Sequence, residues 1–178
     1  INIMRTMKTT LYQFEELSTE AREKAIESNA TINIDFDWWD CTYEGMREMG
    51  VEINSFDIYH RDISITIEDS DYTARQMVKN YGEGMEVFAS SKQFIEDRDA
   101  LVKRLGEGND IDGYSVKDEF FEEFDEEIET LEEEYRKEMA ENIFTWLREE
   151  YFYLQSEESI AQALIDNEYE FTKDGKKW

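Results

Sequence analysis

Between residues 116 and 146, apolar side chains return at steps of three and four: Val116, Phe120, Phe124, Ile128, Leu131, Tyr135, Met139, Ile143 and Trp146. Such steps place successive side chains on one side of an α-helix, so the spacing predicts one helix over residues 115–154. The chain contains no proline, so no ring interrupts it. Ser18 precedes Leu17-aligned Ala21 and Ala25 as an N-cap, predicting a helix over 19–28. Phe36, Trp39, Tyr43 and Met46 repeat in the same way and predict a helix over 35–49, closed by Gly50, with these side chains in the core. Further helices are expected over 70–81, 91–105 and from the Ser156 cap to 167, with a glycine-rich loop at 106–113.

A different period marks the strands. Residues 51–59 and 63–68 alternate apolar and polar positions, predicting an antiparallel pair joined by a turn near Arg61 and Asp62. Residues 7–14 and 168–172 read as a first and a last strand, and Asp174-Gly175 as a turn. Together these predict a single α+β domain over 1–178. Its expected form is a small, mainly antiparallel sheet of about four strands covered by helices, with 115–154 as one long acidic helix.

Composition changes this picture through charge. Hydrophobic residues make up 40% and aromatics 14%, enough for a core, yet 45 Asp and Glu face 19 Lys and Arg, a net charge of -26. That field opposes non-specific binding to nucleic acid or an anionic membrane. Acidity of this size also serves as a plain solubility device, and that reading stays open. Cys41 is the single cysteine, so no internal disulfide forms, and a cytoplasmic location is expected. No apolar run approaches the roughly 20 residues of a spanning helix.

Candidate chemistry is sparse. His60 is the single histidine, in Tyr59-His60-Arg61-Asp62, which repeats a kinase catalytic-loop tripeptide without the other kinase motifs. It reads as an exposed hairpin residue. Around the loop glycine Gly113, Asp110, Asp112 and Glu119 take the third, fifth and twelfth positions of a calcium loop, but Gly108 and Ser115 stand where a carboxylate and an apolar residue belong. An ordinary helix connection is expected there, with cation binding left open. Carboxylate pairs such as Glu122/Glu126 and Glu129/Glu133 arise in any chain this acidic. The expectation is a protein without catalytic residues, cofactor or dedicated metal.

The informative segment is the polar side of the long helix. Residues 118–141 hold thirteen carboxylates, interrupted by Arg136 and Lys137. At about 1.5 Å per residue this is one charge per roughly 3 Å, close to the ~3.4 Å spacing of phosphates along a DNA strand. Like charges at i,i+4 each cost a helix a few tenths of a kcal/mol. Asp118, Glu119, Glu122, Glu123, Glu126, Glu129 and Glu133 are therefore the candidate partner-binding residues.

Phe14-Glu-Glu-Leu-Ser-Thr-Glu-Ala-Arg-Glu-Lys-Ala-Ile26 resembles the opening of small acidic proteins encoded by tailed phages and prophages. Asp37-Trp-Trp-Asp-Cys-Thr-Tyr-Glu44, Gly50-Val-Glu-Ile53, Phe56-Asp57 and Glu168-Tyr-Glu-Phe-Thr-Lys-Asp-Gly175 are similar to their later blocks, while over 72–88 the similarity is low. The resemblance carries no catalytic residues. It implies an accessory gene of a mobile element acting in the host cytoplasm. With the acidic helix, it suggests an anti-defence inhibitor of the anti-CRISPR or anti-restriction kind, acting as a partial DNA mimic. Its partner would be a basic host nuclease or other nucleic-acid-binding protein. The alternative is an antitoxin-like or regulatory protein that neutralises an effector through an apolar surface. The apolar stripe, about 45 Å long, exceeds what a compact domain of this size readily covers, so pairing with a second copy as a homodimer is a further expectation, opposed by like charge.

Overall fold

Ser18 behaves as its position requires: its hydroxyl accepts the Ala21 N–H at 3.3 Å and opens α1, Thr19–Ser28. Ser156 does the same for Ser159 N–H at 3.2 Å, opening α6, Glu157–Asp166. Asp69 caps α3, Ser70–Asn80, by accepting from Tyr72 N–H at 2.9 Å. These elements belong to a computed structural model describing residues 8–109 and 118–178, with the side chains of 105–109 and 118–123 outside the description. The remaining helices are α2, Asp40–Glu48, α4, Glu86–Asn109, and α5, Asp118–Leu154. The strands are β1, Tyr12–Gln13, β2, Val51–Asp57, β3, Asp62–Ile67, and β4, Glu170–Phe171. The fold is α+β, and the chain divides into two compact units, residues 1–38 with 149–178, and residues 39–148.

In the first unit, α1 and α6 enclose Phe14, Leu17, Ala21, Ala25, Ile160, Leu164 and Phe171. Phe14 and Phe171 meet edge to face at 6.2 Å. Tyr12 pairs with Phe171 and Gln13 with Glu170. Gly175, at φ +83°, lies so close to α1 that a Cβ there would strike the Ala21 carbonyl. Asn33 donates to Leu154 O at 3.2 Å and Ser159 Oγ at 3.0 Å, and Trp38 packs on Tyr151 at 5.7 Å.

In the second unit, β2 and β3 form a hairpin in which Val51 faces Ile67 and Ile53 faces Ile65, with an irregularity between Ile53 and Ser55. Phe56 lies between Trp39 and Tyr43, at 5.6 and 6.2 Å. Gly50 closes the turn after α2 at φ +87°. Buried Tyr135 on α5 stacks on Phe94 of α4 at 4.4 Å, and Trp146 meets Tyr81 at 5.4 Å.

Several expectations are corrected. Among the described residues the four strands form two separate two-stranded sheets, β1-β4 and β2-β3, instead of one. The terminal pair is only two residues long, because Phe14 turns into a 3-10 segment, Phe14–Glu16, and Glu168 adopts φ 51°. So the first strand covers 12–13 and the last 170–171. The helix expected from residue 35 begins at Asp40, and Phe36 is 60% exposed, outside the core. Thr31 Oγ1 donates to Asp35 Oδ2 at 2.9 Å, and the Asp35 N–H bonds Thr31 O, a local turn competing with a longer helix. α4 starts at Glu86, anchored by fully buried Val87, and continues through Gly106 and Gly108 where a loop was expected. A glycine weakens a helix by about 1 kcal/mol without forbidding it. Residues 7 and 110–117 lie outside the described residues, and with them part of the first strand, the calcium-like loop and the start of the long helix.

Candidate functional site

The α5 apolar stripe has its C-terminal part in the core: Tyr135, Met139 and Ile143 are buried, whereas Phe124, Ile128 and Leu131 are half-buried. Burying that stripe turns the rest of the helix toward solvent. From Asp125 to Glu141, nine carboxylates have described side chains. Two are half-buried and engaged, Glu127 with Arg104 at 2.5 Å and Glu132 with Arg136 at 3.8 Å. The other seven, Asp125, Glu126, Glu129, Glu133, Glu134, Glu138 and Glu141, are exposed, and none forms an ion pair among the described residues.

These carboxylates divide between two sides of the helix. Glu129 and Glu133, four residues apart, share the outward side, and Glu126 stands between that side and the one facing α4. Glu134, Glu138 and Glu141 share a second side, facing α4. The two helices run in opposite directions, since Asn142 donates to Ser90 at 3.3 Å, Tyr135 meets Ser91 at 2.9 Å and Arg104 reaches Glu127. Between them lie two adjoining cavities of about 680 and 690 Å³ that share Glu134.

Of the seven candidate residues, the structure brings Glu126, Glu129 and Glu133 together, and Glu126 also lines the first cavity. Asp118, Glu119, Glu122 and Glu123 lie on the α5 backbone, but their side chains fall outside the described residues. Sequence reasoning passed over Glu134, Glu138 and Glu141 as binding residues, and over Glu86 and Asp97 on α4. The signal lay in the alanines Ala89 and Ala100 of α4, whose small side chains leave the cavities open.

His60 stands exposed in the hairpin turn, its Nδ1 2.8 Å from Asp57 Oδ2, while Asp57 Oδ1 accepts the N–H groups of Tyr59 and His60 at 2.9 Å each. The Asp57 hydrogen bond raises the His60 pKa above 6.5 and lowers that of Asp57. Arg61 in the same turn takes φ 54°. Cys41 is free and exposed on α2. Among the described residues, no group of three or more His, Cys, Asp or Glu is placed to hold a metal, and no helix is long and apolar enough to cross a membrane. Comparison with protein-family models, with curated proteins and with solved structures finds no match.

Proposed function

We propose that the protein binds a basic surface of another protein through α5, occupying a site that would otherwise take a nucleic acid. The single observation behind this is the set of seven exposed carboxylates along residues 125–141 without a basic partner among the described residues. Asp125/Glu129, Glu129/Glu133 and Glu134/Glu138 are like-charge pairs at i,i+4, each costing a few tenths of a kcal/mol in the free protein. An Arg/Lys groove would convert this repulsion into attraction and would speed encounter. The resemblance to phage-encoded acidic proteins suggests the partner: a host nuclease of the restriction or CRISPR kind, blocked by carboxylates standing where phosphates would lie.

The test is capture from host lysate at low salt, repeated with Glu122, Glu126, Glu129 and Glu133 all changed to Lys. Binding should be lost in the variant while its circular dichroism is preserved, because exposed charges add little stability. It should also weaken steeply with salt and be displaced by duplex DNA. Unchanged capture by the fourfold variant would refute the reading. Salt-insensitive capture that DNA does not displace would instead favour a regulator acting through an apolar surface.

A further inference from the structure

The two cavities between α4 and α5 adjoin at Glu134 and follow each other along the helix pair as the two halves of a groove. On α4, Glu86, Ala89, Ser90, Asp97, Ala100 and Arg104 recur on one side, and they line both cavities in order. On α5 the lining runs from Glu126 to Glu141 and Asn142 on a single side. From Glu126 to Asn142 is sixteen steps, which at about 1.5 Å each make a groove about 24 Å long, the length of a helix of a little over four turns. Its floor is apolar and low: Ala89 and Ala100 are exposed alanines, and Leu101 and Leu131 are half-buried. Its rims are mainly acidic, with Glu86 and Asp97 on α4 and Glu126, Glu134 and Glu138 on α5. Of the two basic residues lining it, Arg104 is already paired with Glu127, and Lys137 lies among Glu134, Glu138 and Glu141.

We infer that this groove receives an amphipathic basic helix of the partner, about 15 residues long. Its apolar stripe would lie on Ala89, Ala100, Leu101 and Leu131, and its flanking Lys and Arg would reach both rims. A helix laid into an apolar groove between two others is a recurrent recognition mode, read as anchors at steps of three and four. The rims select the sign of the occupant. A second copy of this chain, at net charge -26, brings the wrong sign to them. The inference rests on the proposed binding of a basic partner and adds the shape of what is bound.

The probe is a labelled synthetic 15-residue peptide of Leu and Lys, with Leu at three- and four-residue steps, compared with a scrambled peptide of the same composition. Anisotropy titration at physiological salt should show the amphipathic peptide bound at least tenfold more tightly. Ala89→Trp with Ala100→Trp fills the groove at two exposed positions and should abolish that preference, with circular dichroism checking the fold. Glu23→Lys with Glu27→Lys, exposed on α1 and lining neither cavity, should leave the preference intact. Equal binding of the two peptides, or a preference that survives the Trp pair, would overturn the groove as a docking site. Either result leaves the proposed function to its own test, since the fourfold charge reversal reads partner capture and not peptide shape.

Discussion

The hydrogen bond between Ser91 and Tyr135 joins α4 to α5 beneath the groove, and its removal from each side should have unequal effects. Ser91 is 0% and Tyr135 3% exposed, and their hydroxyls meet at 2.9 Å. Tyr135→Phe keeps the ring stacked on Phe94 at 4.4 Å and removes one hydroxyl. The Ser91 hydroxyl left behind can rotate toward the helix carbonyl four residues earlier, so the expected loss is about 0.5–1.5 kcal/mol. Ser91→Ala leaves the Tyr135 hydroxyl buried with no such rotation available, a loss of about 1–3 kcal/mol. The double variant removes both groups, and its loss should fall short of the sum by about 1 kcal/mol. Urea unfolding of the four proteins, followed by circular dichroism, completes the cycle. Additivity within about 0.3 kcal/mol would show that the hydrogen bond does not hold the helices together. A second reading comes from alkaline pH. Burial, partly offset by the Ser91 hydrogen bond, pushes the Tyr135 pKa from 10.0 up to about 12. The unfolded chain ionises first, so stability falls as pH rises from about 10 toward 12, by on the order of 2 kcal/mol. Tyr135→Phe should lack this component.

Gly175→Ala should lower stability by about 2–4 kcal/mol, because a positive φ and a backbone collision coincide there; Gly84→Ala, which meets open space, serves as the control, and equal urea midpoints for the two would refute this. Ser18→Ala and Ser156→Ala should each cost about 1 kcal/mol through loss of an N-cap, measured the same way. NMR titration should place the His60 midpoint above 6.5, and Asp57→Asn should lower it. Any stability from that pair is present at acidic pH and lost as pH rises through the raised pKa. Light scattering should show a monomer at low salt, with any association through half-buried Phe124, Ile128 and Leu131 growing as salt screens the -26 charge; a dimer insensitive to salt would contradict this.

What the sequence determined by itself is what depends on near neighbours. Ser18, Ser156 and Gly50 place their caps and turns correctly because each acts on backbone within a few residues. The β2-β3 hairpin is legible because alternation and a short turn set its pairing. The stripe on α5 is legible because helical period is local, as is the density of carboxylates behind it. Tertiary structure decided the rest. Phe36, which has the spacing of a core residue, is the exception, since the Thr31–Asp35 turn that leaves it outside is itself local. Tyr12 and Phe171 pair across 159 positions of sequence, so neither strand's length could be read from its own residues. The carboxylates divide into an outward side and a groove side only because α4 lies along α5. A helical period states which side chains share a face; it does not state what that face meets, and that depends on residues distant in the chain.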